Sequence, residues 1–160
     1  MVLKKQHVLM NTIFKSLTLI ILTFMSTLST TANANPFLHP FNLKYSAVPF
    51  DKIELDHYAE ALELGLKEQE EDIKKIVENT EEPTFENTIL ALENSGEILS
   101  RVCGVLFNLT EAETCDALDS ISEKYSPILS EASSKINQNE ALFARVKKVY
   151  EDIENYPDPI

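Results

Sequence analysis

One long amphipathic stretch, residues 83–109, constrains the fold of this chain more than any other feature. Thr84 is suited to cap a helix here, because its hydroxyl can accept a backbone N–H that the first turn leaves unpaired, and Pro83 discourages extension backwards. Apolar residues then recur at helical spacing, in a stripe wide enough to require burial. The stripe comprises Phe85, Ile89, Leu92, Gly96, Leu99, Cys103 and Leu106, widened by Val102, Phe107 and Leu109. The pattern predicts one continuous helix that packs against further helices.

Three other segments carry the same helical period and can supply those partners. The first is predicted to run from near Asp56 to about Val77. The next one, which would be the third helix along the chain, follows the short polar residues 110–114 and should fold back antiparallel against the helix of residues 83–109. The last is predicted to run from Glu140 to Ile153. The predicted fold is therefore all-α, made of antiparallel helical hairpins with about four helices.

Each of these predicted helices has an apolar face that should lie in the core. The three faces comprise Tyr58, Ala61, Leu62, Leu66, Ile73 and Ile76, then Leu118, Ile121, Tyr125, Ile128, Leu129, Ala132 and Ile136, and finally Leu142, Phe143, Val146, Val149 and Tyr150. Pro127 lies inside the third pattern and is expected to bend that helix near Lys124, because proline lacks an N–H and crowds the preceding turn.

Residues 1–34 have the features of an export signal. Lysines precede the apolar run 17–24, and Ala32-Asn33-Ala34 forms an A-x-A site, which predicts cleavage before Asn35. The run is too short to span a bilayer comfortably, and no cysteine stands at the cleavage point, which disfavours a lipoprotein. The start codon remains open between Met1 and Met10. The mature chain is predicted to be exported to a bacterial periplasm and to have no membrane segment.

Residues 35–55 are predicted to form an extended N-terminal arm, followed by the helical region 56–160. The arm alternates prolines with aromatic residues, which fits a segment whose rings anchor it to a neighbouring surface. These residues are Pro36, Pro40 and Pro49 with Phe37, Phe41, Tyr45 and Phe50. Packing is preferred to an aromatic ligand cage, because exposed aromatic clusters are unusual without a partner.

The chain is strongly acidic, with a formal net charge of −12. Because residues 1–34 contain three lysines and no acid, residues 35–160 carry −15. Such a surface repels nucleic acid phosphates and anionic lipid, so neither is expected as a partner. Solubility is the simplest reason for the excess of acid.

No catalytic, cofactor-binding or metal-binding residue is predicted in this chain. A helical zinc site needs two histidines one turn apart with a glutamate between them, whereas His7, His39 and His57 are isolated from one another. A structural role is the favoured interpretation of His39 and His57. The acidic pairs Glu70 and Glu71, Glu81 and Glu82, and Asp116 and Asp119 lack the apolar surroundings that would raise a pKa for acid–base work.

The two cysteines are not predicted to pair. Cys103 lies about two turns before the predicted end of its helix, roughly 10 Å along the axis, and Cys115 lies at the start of the next helix. A disulfide needs Cα atoms within roughly 7 Å. Cys103 is better explained as a small core residue.

Three runs of the sequence resemble one family of enzymes. They are PTFENTILALENSGEILSRV followed by FNLTEAET, the whole of residues 35–73, and LFARVKKVYED at residues 142–152. Together they resemble the N-terminal region of bacterial dipeptidyl carboxypeptidases, or peptidyl-dipeptidases, in the thimet oligopeptidase family of zinc metallopeptidases. The resemblance covers nearly all of the chain after residue 34 and weakens at residues 129–139.

The resemblance implies a helical wall of a deep channel that admits short peptides, in an enzyme that releases dipeptides from carboxyl termini. It places the zinc ligands and substrate-polarising residues several hundred residues beyond this region, in a C-terminal catalytic region that becomes the expected partner. The chain is therefore expected to be an N-terminal fragment or a truncated gene product without catalysis of its own.

An alternative from another class is a stand-alone acidic helical module that binds a partner in the periplasm. A partial copy of a larger domain should expose core surface that its missing part once covered. Leu99, Val102, Leu106 and Phe107 are the candidates for that exposed face.

Overall fold

The computed structural model describes residues 34–152, and within this range the chain is helical with no strand. Four α-helices follow one another: α1 (Leu55–Glu78), α2 (Glu97–Ala112), α3 (Asp116–Asn137) and α4 (Glu140–Glu151). The prediction of an all-α fold with about four helices is confirmed. Residues 1–33, which hold all but the last residue of the predicted signal segment, and the residues after Asp152 lie outside the described range.

The remaining described elements are short. Three 3₁₀ turns, Pro36–Leu38, Lys44–Ser46 and Phe50–Lys52, shape the arm before α1. A π-helical segment, Phe85–Leu90, continues into one α-helical turn, Ala91–Glu93, before α2. Within residues 34–152, no helix combines the length and the apolar composition that spanning a bilayer requires.

Helices α1 and α2 form the centre of the helical fold of residues 34–152. Their contact is close because Gly65 lies against the backbone of Leu99, where a Cβ would come within 2.7 Å of the Leu99 nitrogen. The surrounding core combines residues of α1, α2, α3 and the arm. Its buried members are Phe37, Tyr58, Ala61, Leu62, Leu99, Val102, Val105, Leu106, Leu118 and Tyr125.

The prediction of one continuous helix over residues 83–109 is wrong. The helix is interrupted at Gly96, which has φ of +67°, a conformation that glycine adopts without strain. Two side chains of α1 meet the backbone N–H groups after the break: Glu68 accepts from Ile98 at 3.0 Å, and Asp72 accepts from Gly96 at 3.4 Å. These carboxylates satisfy donors that a new helix start leaves unpaired.

The arm is fixed at its beginning and more exposed further along. Phe37 is completely buried and lies 5.0 Å from the ring of Tyr58, and its carbonyl accepts a hydrogen bond from Arg101 at 2.6 Å. By contrast, Tyr45 and Phe50 are exposed. Aromatic anchoring of the arm is therefore correct for Phe37 and wrong for these two residues.

A second, smaller core lies at the other end of α1. Ile73 and Ile76 of α1 are buried there with Leu142 of α4. Val149 is also buried, as predicted, but Phe143 and Tyr150 are 65% and 73% exposed, which contradicts their predicted burial. The surface that the rest of the fold presents to α4 is narrower than the apolar stripe of α4, so part of that stripe stays exposed.

Helix α3 packs firmly only in its first half. Leu118 and Tyr125 are buried, whereas Ile128 is 41% exposed and Leu129, Ala132 and Ile136 are half-buried. The helix continues through Pro127 as one element. Its second half was predicted to lie in the core, and most of that stripe instead borders open grooves.

The predicted cap at Thr84 is confirmed, and it allows a first test. Its hydroxyl accepts the N–H of Asn87 at 3.1 Å, while the Asn87 side chain accepts the N–H of Thr84 at 2.8 Å. Thr84→Ala should lower the free energy of unfolding by about 1 kcal/mol, measured by urea denaturation. Thr80→Ala, in an exposed turn, is the control and should change it by less than about 0.5 kcal/mol. Equal effects of the two substitutions would contradict a capping role.

Candidate functional site

The described region contains two histidines, and they lie in different settings. His39 is exposed in the arm, whereas His57 is buried in the first turn of α1. The Nδ1 atom of His57 accepts the backbone N–H of Glu54 at 3.1 Å, and the Glu54 side chain accepts the N–H of His57. The two residues therefore cap the start of α1 reciprocally.

Within residues 34–152, one group of side chains has the spacing of potential metal ligands. Glu54, Asp56 and His57 each offer one atom within 4.8 Å of the others. The Nδ1 lone pair of His57 is already used by the helix cap, and both carboxylates are exposed. A catalytic zinc ion needs about three protein ligands that leave one position open, typically with more than one imidazole. The group does not fit the zinc site that the resemblance implies.

The acidic pairs singled out in the sequence lie at the surface. Glu70, Glu71, Glu81 and Glu82 are exposed, as is Asp116. Asp119 is half-buried and accepts a hydrogen bond from Thr114 beside the start of α3. Five of these six carboxyl groups are therefore open to solvent.

Both cysteines are free thiols. Cys115 is exposed at the N-terminal cap of α3, whereas Cys103 is half-buried on α2. Burial raises the pKa of the Cys103 thiol to about 11. Because the thiolate is the reactive form, Cys103 is a poor nucleophile at neutral pH.

This difference predicts selective alkylation of the folded chain. With iodoacetamide at pH 8, Cys115 should react at least tenfold faster than Cys103, as followed by mass spectrometry of the labelled peptides. At this pH only about a thousandth of the Cys103 thiol is ionised, given its pKa of about 11. In urea the two rates should converge. Similar rates in the folded chain would show that the Cys103 environment is more open than the structure has it.

The face proposed for a stand-alone binding module is largely buried. Val102 and Leu106 are completely buried, and Leu99 is 8% exposed, because all three pack in the central core. Phe107 alone among the four candidates is substantially exposed, at 36%. The expectation of an exposed apolar face at these residues is therefore wrong for three of them.

A buried arginine instead organises the polar contacts of the smaller core. Arg145 of α4 is 9% exposed, and it donates to the carbonyls of Asn79 at 2.8 Å and Glu81 at 3.2 Å. It also donates to the Asn87 side chain at 3.1 Å, the same oxygen that accepts the Thr84 N–H. Arg145 therefore connects α4 to the turn after α1 and to the cap of the π-helical segment.

The arm has a comparable polar anchor at its first residue. Asn35 is buried, and its side-chain amide donates to the His57 carbonyl and to the Glu60 carboxylate, both at 2.9 Å. The Asn35 side-chain oxygen accepts the N–H of Phe37 at 3.0 Å and so caps the first 3₁₀ turn. The arm is thus held to α1 from its first residue, Asn35.

Sequence reasoning missed Arg145 and Asn35 as buried polar residues, and it missed the half-buried Asn87 as a partner of Arg145. The asparagines had a local signal, because each lies close to a predicted turn or helix start where its side chain can accept a backbone N–H. Arg145 had none, since its partners are carbonyls more than 60 positions away in the chain.

Comparison with known proteins finds relatives among bacterial peptidases. The chain is 44% identical over 117 residues to the dipeptidyl carboxypeptidase of Escherichia coli strain K12, covering 73% of this chain and 17% of that protein. It is 42% identical over 119 residues to the dipeptidyl carboxypeptidase of Salmonella typhimurium, covering 74% of this chain and 18% of that protein.

A more distant relative is oligopeptidase A of Escherichia coli, at 29% identity over 119 residues, with 74% of this chain and 16% of that protein covered. No protein-family model matches the chain. The chain spans about a sixth of the length of the curated relatives that it matches.

Proposed function

Since this chain is a relative of the dipeptidyl carboxypeptidases of the thimet oligopeptidase family over about a sixth of their length, we propose that it is a helical structural part of a zinc peptidase. The parent reaction is hydrolysis of short peptides. In this proposal the zinc site lies in a catalytic region outside residues 34–152, and the helices support or border the path of the substrate.

The observation that supports the proposal is the close similarity of this chain to one short part of a much longer peptidase. At 44% identity over 117 residues, the matched segment is a direct relative of part of a dipeptidyl carboxypeptidase. The described residues offer no histidine pair, and their one group of potential ligands serves a helix cap. A scaffold role accounts for both facts.

The test is a hybrid enzyme in which residues 35–152 of this chain replace the segment they match in the Escherichia coli dipeptidyl carboxypeptidase. We expect the hybrid to release dipeptides from the carboxyl termini of short peptides and to lose this activity with a chelator. The isolated 160-residue chain should be inactive under the same conditions. A hybrid containing an unrelated helical segment of equal length is the control.

Two results would contradict the proposal. One is chelator-sensitive peptide hydrolysis by the isolated chain, which would place the catalytic site within it. The other is a folded hybrid without activity, when the intact Escherichia coli enzyme is active in the same assay. The second result would show that this unit cannot serve as part of such an enzyme.

We also propose that the chain is exported to the periplasm and cut between Ala34 and Asn35. The A-x-A pattern supports this site, and so do the exposure of Ala34 and the burial of Asn35, because the fold would begin at the first residue of the product. Protein recovered from a periplasmic extract should have the mass of a chain that begins at Asn35. Ala34→Arg should block the cut and leave the fold of residues 35–152 unchanged. Ala47 is also exposed, and Ala47→Arg should leave the cut unaffected.

A further inference from the structure

A groove of about 720 Å³ runs between α1 and the second half of α3. Its apolar lining is contributed by both helices, and it comprises Leu66, Ile73, Val77, Ile128, Ala132 and Ile136. At one end the hydroxyl of Tyr125 donates to the Glu63 carboxylate at 2.8 Å, which joins the two helices there. Burial and this carboxylate raise the pKa of Tyr125, so the hydroxyl remains a donor.

Charged residues along the α1 side of the groove alternate in sign at every helical turn. In order they are Glu63, Lys67, Glu70, Lys74 and Glu78. Within the described residues, ion pairs near the groove form along one helix and not across it: Lys67 with Glu71 and Lys74 with Glu78, both at 3.8 Å, and Lys135 with Glu131 at 2.7 Å. The exposed pairs at 3.8 Å are loose and can rearrange around a partner at little cost.

We infer that this groove receives an amphipathic α-helix from the part of the peptidase outside this chain. The inference rests on the proposed function. The aliphatic part of the lining provides no hydrogen bonds, so backbone groups that lie against it must be satisfied within the occupant, which a helix does internally. The residues that line the groove from Glu63 to Glu78 extend about 22 Å along α1, which corresponds to four helical turns.

The charge pattern specifies the partner helix further. An aliphatic stripe would pack against Leu66 and Ile128. Lysines opposite Glu63, Glu70 and Glu78 and glutamates opposite the two lysines would complete the contact. Flanking charges of this kind set partner choice in helix pairs, as they do beside the apolar seam of coiled coils.

A helix of the same peptidase suits the groove better than a second copy of this chain. The net charge of −15 over residues 35–160 makes self-association unfavourable at ordinary ionic strength. The curated relatives are about six times longer than the matched segment, which leaves most of such a protein available to cover the groove.

Cysteine accessibility tests the inference in the hybrid enzyme described above. Ile128→Cys places a thiol in the groove, and Phe143→Cys places one on the exposed face of α4, away from it. Each variant is labelled with a maleimide reagent, in the isolated 160-residue chain and in the hybrid, and the rate at each site is read by mass spectrometry of its peptide. We expect the rate at residue 128 to fall at least tenfold in the hybrid, while the rate at residue 143 stays within twofold.

Unchanged labelling at residue 128 in an active hybrid would overturn the inference and leave the proposed function standing. Protection at residue 128 in an inactive hybrid would support the groove contact while the proposed function fails. Protection that already appears in the isolated chain and increases with its concentration would identify a second copy as the occupant, and would also overturn the inference. A groove charge reversal, Lys74→Glu, should restore part of the labelling in the hybrid, whereas Lys147→Glu on α4 should not.

Discussion

Gly65→Ala should lower the free energy of unfolding by about 2–3 kcal/mol, the upper part of the range for overpacked cores. The added methyl group would lie 2.7 Å from the nitrogen and 2.9 Å from the Cα of Leu99. Both atoms belong to a helical backbone, which cannot move aside as the end of a flexible side chain can. Helices α1 and α2 would have to separate, and the contacts of Leu62 and Val102 in the central core would loosen.

Gly104→Ala is the matched control, since it makes the same chemical change within α2. Apart from the backbone of α2 itself, no heavy atom lies within 4 Å of the added methyl group there. This substitution should raise the free energy of unfolding by about 0.5–1 kcal/mol, because alanine favours the helix more than glycine does. Urea denaturation of the two variants should therefore give changes of opposite sign. Destabilisation of similar size at both positions would refute the close approach at Gly65.

Arg145→Met should be comparably damaging, at about 3 kcal/mol, although methionine keeps much of the side-chain volume. The substitution removes the donors to the carbonyls of Asn79 and Glu81 and to the Asn87 side chain. Hydrogen bonds to a charged group contribute about 1.5–3 kcal/mol, and the half-buried Asn79 and Asn87 would each lose this donor. The measurement is again urea denaturation.

Lys148→Met provides the control on the same helix, because Lys148 is exposed and pairs with Asp152 at 3.1 Å at the surface. Its loss should change the free energy of unfolding by less than about 1 kcal/mol. Arg145→Lys keeps the charge but not the fork of donors, so it should recover only part of the stability. If Asn87→Ala and Arg145→Met act additively in the double variant, the two side chains do not act as one network.

Local signals determined where the segment after Pro83 begins and the general class of the fold. Thr84 caps the segment that it was predicted to cap, because a side chain and an N–H three residues apart meet in any helical first turn. The apolar period likewise located Tyr58, Ala61 and Leu62 on the buried side of α1. These features depend on contacts within one or two turns of the chain, so the sequence alone contains the information.

The kinds of metal site open to this chain were limited by its sequence in the same way. A chain without two histidines at one helical turn cannot form that zinc motif in any fold. The sequence did not determine which polar side chains become buried. His57 became an acceptor for the N–H of Glu54 and Arg145 became a buried donor, because folding placed particular backbone groups beside them.

Only the tertiary structure decided where the long stripe breaks and which parts of it are covered. A glycine at position 96 is compatible with a helix or with a left-handed break, and the Glu68 and Asp72 carboxylates of α1 favour the break by meeting the free N–H groups beyond it. Periodicity shows that a face is apolar but not how much of that face a neighbouring helix covers. It therefore could not predict that Phe143 and Ile128 are exposed. The composition and period of this sequence thus determined an acidic, all-α chain. The break at Gly96, the Arg145 network and the open groove beside α3 depend on residues far apart in the chain, whose meeting only the packed fold defines.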